Sequence, residues 1–210
     1  MKITLIFLFL LCAIATIGQD HLPRLRNFTP KDYGENQTPE SWSIAEDTNG
    51  IMYFGNSGGL LTYDREHWDF IPVRKGHYVL SIAVEKNSNL LFVGCSGGEF
   101  GYIELNRNGE SQYISLSDSI NSDAQPGKVW RTYNSNGATF FQSESAIYKW
   151  IPSKKELTTI RSETSYHTML QCGNDIYVRE RKTGLKVWNG SEFTLVPGGE
   201  KFEIYGVFDI

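Results

Sequence analysis

The chain has 210 residues, a net charge of −4 at neutral pH, 20 glycines and 13% aromatic residues. This composition is typical of a folded protein rich in short strands and turns, and it excludes an intrinsically disordered chain. Lysine and arginine form no block along the sequence, and this argues against a nucleic-acid-binding surface, which needs clustered positive charge.

The first 18 residues have the pattern of a secretory signal peptide. Lys2 supplies the positive start, an apolar run follows over 3–17, and the small residues Thr16 and Gly18 precede a cleavage site at Gln19. The alternative is an uncleaved membrane anchor, but an apolar run of about 15 residues is shorter than the roughly 18 to 20 that a spanning helix needs. We therefore expect export.

Beyond a polar segment over 19–40, which we expect to run extended along the first repeat, the chain repeats itself. Residues 43–63 (SIAEDTNGIMYFGNSGGLLTY) match residues 81–102 (SIAVEKNSNLLFVGCSGGEFGY), and the glycines Gly55 and Gly94 are 39 positions apart. Each copy reads as short apolar strands separated by turns. A repeat of about 40 residues with about four strands indicates a blade of a β-propeller.

The sequence therefore predicts an all-β chain of about four propeller blades. Their approximate ranges are 41–73, 78–118, 129–163 and 166–198, followed over 203–210 by the first strand of a fifth blade. Because a propeller closes into a ring and each blade contacts only its neighbours, we expect a fragment of a larger propeller. The alternative is a four-bladed ring in which the final strand pairs with the first blade.

Two residue types have a structural and a functional interpretation. Cys95 and Cys172 lie in apolar strand-like runs, so we expect two buried free thiols rather than a disulfide. Five tryptophans could form a carbohydrate-stacking set, but their recurrence near strand positions favours packing between blades. They are Trp42, Trp68, Trp130, Trp150 and Trp188.

Candidate binding residues lie where the longer loops meet. In a four-stranded blade, the loops between second and third strands share one rim with the connections between blades. On that rim we select Ser57, Glu99, Glu144 and Arg181 as candidate ligand-binding residues. The alternative is that each is a solvated loop residue.

No catalytic constellation is visible in the sequence. The stretch Gly94–Gly98 matches the nucleophile-elbow pattern, but no helix follows it, and the same turn occurs in the first repeat. The histidines are not at metal-ligand spacing from one another, so we expect no metal and no cofactor.

The first repeat resembles the repeats of the two-component-regulator propeller family. The resemblance is specific in the first blade, fair in the second and loose in the other two. The matching residues of the first blade are Trp42, Ile44, Asp47, Gly50, Tyr53, Phe54, Gly55, Asn56, Gly59, Leu60, Tyr63 and Asp64.

This resemblance implies an exported sensor region of a bacterial histidine-kinase or helix-turn-helix receptor, located in the periplasm or at the extracytoplasmic face of the inner membrane. Its partners would be a ligand of unknown identity, with glycans sensed by some members, and downstream receptor domains; the full-length receptor could be a dimer. The alternatives are an exported carbohydrate-active propeller enzyme and a structural repeat protein.

Overall fold

The computed structural model describes residues 25–88, 90–105, 108–120 and 127–207. The predicted signal peptide and the start of the polar segment lie outside these residues. Four separate sheets are described, each of four antiparallel strands in chain order. Each sheet is a propeller blade, and none of the named strands pairs with a strand of another blade. An isolated antiparallel bridge between Ser57 and Tyr78 joins the first blade to the start of the second. The predicted all-β propeller is confirmed, and its blades form an open arrangement, as expected for part of a larger propeller.

The sixteen described strands are numbered in chain order. The first blade contains β1 (Ser43–Glu46), β2 (Met52–Asn56), β3 (Gly59–Tyr63) and β4 (Trp68–Pro72), and the second contains β5 (Val79–Glu85), β6 (Leu90–Cys95), β7 (Phe100–Leu105) and β8 (Ser111–Ser115). The third blade contains β9 (Arg131–Ser135), β10 (Ala138–Gln142), β11 (Ala146–Ile151) and β12 (Glu156–Arg161), and the fourth contains β13 (Tyr166–Cys172), β14 (Asp175–Glu180), β15 (Gly184–Trp188) and β16 (Phe193–Leu195).

The hydrophobic core consists of layers between consecutive blades. In β6, Leu91 and Val93 join a cluster shared with the first blade, whereas Phe92 joins a cluster shared with the third. Successive side chains of a strand point to opposite faces, so a strand buried on both faces must be apolar throughout. This explains the continuous apolar run of β6.

Aromatic contacts fix the layer between the second and third blades. The ring of Phe100 lies 4.7 Å from that of Phe141 and 4.8 Å from that of Tyr148, centroid to centroid. The layer between the third and fourth blades is built similarly, with Trp188 edge-on to Phe140 at 5.5 Å. Trp150 lies in the layer between the second and third blades, so two of the predicted inter-blade tryptophans occupy such positions.

The repeated glycine permits close approach of the next blade. A Cβ atom at Gly55 would lie 2.5 Å from the backbone oxygen of Val79, on the first strand of the second blade. A Cβ atom at Gly94 would lie 2.8 Å from Oγ1 of Thr132, on the first strand of the third blade. Glycine at these positions is therefore required by the packing of neighbouring blades.

The segment before the first blade differs from the extended path expected. It forms a short helix α1 (Pro30–Tyr33), because the backbone N–H of Thr29 donates to the Asp32 carboxylate at 2.7 Å and Pro30 begins the first turn. The helix lies against the first blade, where the ring of Tyr33 is 5.3 Å from that of Trp68.

Two further differences concern single elements. The prediction that both thiols are buried is wrong for Cys172, which is exposed beside the turn after β13, whereas Cys95 is buried. After a 3₁₀ helix over Gly199–Phe202, residues 203–207 form no strand, and 208–210 lie outside the described residues. No helix in the described part of the chain is long and apolar enough to cross a membrane.

Candidate functional site

The four blades present two rims with different loops. The long-loop rim carries the turns between second and third strands and the connections between blades; its turns are 57–58, 96–99, 143–145 and 181–183. The short-turn rim carries the turns between first and second strands, of which the structure describes 47–51, 86–88, 136–137 and 173–174. The first strands contact one another, β1 with β5, β5 with β9 and β9 with β13, and so form the inner wall of the propeller.

On the long-loop rim, Glu99 is enclosed by a polar cluster. Its side chain is 3% exposed. Its Oε1 accepts the Tyr113 hydroxyl at 2.6 Å, and its Oε2 lies 3.2 Å from Nη1 of Arg74. Arg74 belongs to the connection between the first and second blades, and its Nη2 also donates to Asp118 at 2.6 Å. Burial, and then the neighbouring Cys95 and Glu99, raise the pKa of Tyr113, so this hydroxyl stays protonated and donates.

The other three candidates lie apart from this cluster. Ser57 is partly buried, and its Oγ accepts the Thr38 hydroxyl at 3.2 Å. Glu144 and Arg181 are exposed and flank the connection between the third and fourth blades through their backbones. The carbonyl of Glu144 accepts the N–H of Tyr166 at 2.7 Å. No described hydrogen bond or ion pair joins any two of the four candidates.

A buried residue that the sequence argument did not select holds that same connection. Glu180 is 1% exposed, and its carboxylate accepts Lys186 Nζ at 2.5 Å and the backbone N–H of Glu163 at 2.8 Å. Burial raises its pKa, but the hydrogen bonds from Lys186, Ser162 and Glu163 outweigh burial, and the pKa of Glu180 lies below its ordinary value. The carboxylate is therefore charged, and its hydrogen bond to Glu163 fixes the connection between the third and fourth blades.

Asn56 has the same role in the first blade. It is fully buried at the end of β2, as Glu180 is at the end of β14. Its Nδ2 donates to the carbonyls of Thr38 and Glu40 at 2.9 and 2.7 Å. Buried polar groups of the long-loop rim thus hold the segments that lead into the first, second and fourth blades, which is a structural task.

The short-turn rim contains a cleft of ≈ 720 Å³ at the inner wall. It is formed by the ends of β5, β9 and β13 and by the turns that follow them, so three blades contribute to it. Five of its lining side chains are amides: Asn87, Asn134, Asn136, Gln171 and Asn174. The charged lining residues are Glu85 and Lys86, whose formal charges cancel. The cleft therefore offers many hydrogen-bond donors and acceptors and no net charge.

Hydrogen bonds between blades hold the wall of this cleft in place. Nε2 of Gln171 donates to the backbone carbonyl of Asn134 at 2.8 Å, and the Ser135 hydroxyl donates to the carbonyl of Asn174. Oδ1 of Asn134 accepts the Thr139 hydroxyl at 2.8 Å. Its Nδ2 is buried and has no partner among the described residues.

A smaller notch of ≈ 370 Å³ adjoins the cleft, between the third and fourth blades. The two hollows share four lining residues: Ser135, Asn136, Gly137 and Asn174. Trp188 lines the notch, and Nζ of Lys149 lies 4.9 Å from its ring centroid. The rim thus combines an aromatic side chain with an adjoining row of amides.

The asparagines that line the cleft were not among the candidate binding residues selected from the sequence. The signal was the Asn-Gly pair at 136–137 and the Gly-Asn pair at 173–174, which predict tight turns. That the turns of three blades meet at one cleft depends on the packing of the blades, which spacing does not give. No group of three or more metal-ligating side chains occurs in the described residues.

Comparisons with known proteins identify the fold. No family model matches the chain, and no curated protein matches it. Among solved structures, the WD40 β-propeller domain of Doa1 is similar at a TM-score of 0.55 and 15% identity, over 75% of this chain and 53% of that one.

Two neighbours are extracellular domains of proteins from B. thetaiotaomicron. The extracellular domain of a proposed one-component system is similar at a TM-score of 0.54 and 16% identity, over 77% of this chain and 22% of that one. The extracellular domain of a proposed hybrid two-component system is similar at a TM-score of 0.56 and 15% identity, over 81% of this chain and 24% of that one. The chain thus spans about a quarter of these two proteins, and at such identities the likeness shows the propeller fold alone.

Proposed function

We propose that this chain is the ligand-recognising part of an exported β-propeller sensor in a bacterial signal-transduction receptor. The support is the apolar leader, the repeat that resembles two-component-regulator propellers, and the extracellular sensor domains among its structural neighbours. Ligand binding would act on downstream receptor domains. We assign no kinase, nucleic-acid-binding or cofactor-dependent activity to these residues.

One observation carries the location of the site, namely the cleft on the short-turn rim with five amide side chains from three blades. Amides both donate and accept, as sugar hydroxyls do, so they can satisfy a polyhydroxylated ligand that has no charge. The cleft volume of ≈ 720 Å³ is within the usual range for ligand sites. The ligand class that fits best is a neutral oligosaccharide, with one sugar ring placed near Trp188.

The cleft favours recognition over hydrolysis. Glycoside hydrolysis uses two carboxylates flanking the scissile bond. Glu85 is the one carboxylate among the residues that line the cleft, and Asp175 is the one that lines the adjoining notch, so the two carboxylates line different hollows. A binding module is therefore a better fit to the cleft than a carbohydrate-active enzyme.

Calorimetric titration of the purified chain with xylohexaose, mannohexaose, cellohexaose and laminarihexaose tests this proposal. We expect at least one to bind with a stoichiometry of one, and the double substitution Asn87→Ala/Asn136→Gly to weaken that binding at least about tenfold. Asn136 has φ 49°, so glycine removes the amide while keeping the turn.

The matched control is Glu144→Gln/Arg181→Gln on the long-loop rim. Both side chains are exposed, so this pair also leaves the fold intact. Loss of binding in this control, with unchanged binding in the short-turn variant, would place the ligand on the long-loop rim and refute the assignment of the cleft. Absence of binding to all four hexasaccharides and to a wider panel of neutral glycans would refute the ligand class.

A further inference from the structure

A second hollow, away from the inner wall, lies between the outer parts of the second and third blades. Its volume is ≈ 630 Å³. The residues that line this outer groove are Ser115, Leu116, Ser119, Ile120, Trp150, Lys155, Leu157, Thr159 and Arg161. They come from the end of the second blade and from β11 and β12 of the third. The groove shares no residue with the cleft on the short-turn rim.

The floor of the outer groove is apolar and fixed in position. Leu116 is 6% exposed and Trp150 is 9% exposed, and both belong to the layer between the second and third blades. Trp150 stacks on Tyr102 with ring centroids 6.4 Å apart and Leu157 packs against the same layer. A floor of this kind suits one apolar side chain of a partner.

The rim of the outer groove is positively charged, although the chain as a whole has a net charge of −4. Lys155 and Arg161 are exposed, and none of the nine lining residues is acidic. Asp118, next to Ser119, is paired with Arg74 at 2.6 Å. Glu156, next to Lys155, falls on the opposite face of β12 from Leu157 and Arg161, because successive side chains of a strand alternate. No ion pair of Lys155 or Arg161 occurs among the described residues. The two cations are thus available to an anionic partner.

Lys155 directly precedes β12, and Arg161 is the last residue of that strand. Leu157, Thr159 and Arg161 alternate along β12, so they line the same face of it. At about 3.3 Å per residue the stretch from Lys155 to Arg161 spans roughly 20 Å, the length of about six extended residues. β12 is the outermost strand of its blade and pairs with β11 alone among the described strands.

We propose that the outer groove binds an extended acidic polypeptide segment. One apolar side chain of the segment would occupy the floor formed by Leu116, Trp150 and Leu157, and flanking carboxylates would meet Lys155 and Arg161. A peptide is favoured over other anions because the free edge of β12 offers backbone hydrogen bonds to an added strand. This surface faces outward and is independent of the oligosaccharide site.

Fluorescence anisotropy with a labelled peptide, acetyl-Gly-Asp-Glu-Val-Leu-Val-Glu-Asp-Gly-amide, tests the proposal on the full chain. We expect saturable binding that weakens as salt is raised, because the charge pairs lie at an exposed rim. The double substitution Lys155→Gln/Arg161→Gln should weaken binding about tenfold or more. Lys154→Gln, which removes a neighbouring charge outside the groove, should change it by less than about twofold.

Two further probes separate the apolar and the charged contributions. Replacing the central leucine of the peptide by serine should weaken binding at least about fivefold, whereas the Asn87→Ala/Asn136→Gly variant should bind the peptide unchanged. Equal binding to wild type and to Lys155→Gln/Arg161→Gln would overturn the proposal. Binding of tetragalacturonate but not of the peptide, lost in the same double variant, would also overturn it in favour of an anionic glycan.

Discussion

Replacing Glu99 by alanine should destabilise the chain without changing ligand binding. The carboxylate of Glu99 is 3% exposed and accepts the Tyr113 hydroxyl at 2.6 Å, and the pair with Arg74 at 3.2 Å is partly exposed to water. Losing a hydrogen bond to a buried charged group costs about 1.5–3 kcal/mol. The half-exposed ion pair adds at most about 1 kcal/mol. We therefore expect Glu99→Ala to lower the free energy of unfolding by about 2–4 kcal/mol.

Urea denaturation followed by tryptophan fluorescence measures this change. Glu99→Gln should cost less than Glu99→Ala, because its amide oxygen can still accept the Tyr113 hydroxyl and only the charge is lost. Glu144→Ala is the matched exposed control and should change the free energy of unfolding by no more than about 0.5 kcal/mol. A free energy of unfolding for Glu99→Ala within 0.5 kcal/mol of wild type, together with lost ligand binding, would refute the structural role of Glu99 and support the long-loop site.

Three further predictions concern the buried carboxylate of Glu180, the core residue Phe141 and the two thiols. At pH 7 the wild type should be more stable than Glu180→Gln by the full contribution of the Glu180 carboxylate. This difference should decrease as pH falls below about 4.3, the ordinary pKa of a glutamate, and should be lost as pH passes through the lowered pKa of Glu180 in the folded chain. Urea unfolding midpoints of both proteins at several pH values measure the difference. Phe141→Ala should lower the free energy of unfolding by about 3–5 kcal/mol, because Phe141 is fully buried between two blades; a cost below about 1 kcal/mol in the same denaturation assay would contradict this core. In the folded chain Cys172 should react with a thiol reagent at once, whereas Cys95 should react only after unfolding, because burial raises the pKa of Cys95 and blocks access to it. Mass spectrometry of the labelled peptides measures both rates, and equally fast modification of the two cysteines would contradict the prediction.

Much of the fold could be predicted because the sequence contains an internal repeat, whose two copies can be compared with each other. The 39-residue spacing of Gly55 and Gly94 marked the repeat, and the packing contact that requires glycine at both positions explains why it recurs. Asp47, one of the residues that match the family repeat, forms the turn after β1, since its Oδ1 accepts the N–H groups of Asn49 and Ile51 at 2.9 Å.

Features that depend on tertiary contacts could not be predicted. The exposure of Cys172 depends on where β13 ends relative to the next turn, and the apolar run around it gave no sign of that. Glu99 was selected as a polar loop residue, but its burial depends on Arg74 folding back from the connection between blades. Spacing along the chain contains neither kind of information.

The cleft was missed for a related reason. Asn134, Asn136 and Asn174 are each explained locally by turns or strand ends. They line one surface because the first strands of three blades lie side by side, and that arrangement becomes visible only when the blades are assembled.

Hydrogen–deuterium exchange in the presence of a bound neutral oligosaccharide tests the central claim most directly. Amides in the short turns at 86–88, 136–137 and 173–174 exchange from exposed loops, so a ligand in the cleft should slow their exchange. We predict protection in peptides that contain these turns and unchanged exchange at 57–58, 96–99, 143–145 and 181–183. Protection of the long-loop turns, with unchanged exchange in the short turns, would contradict the account.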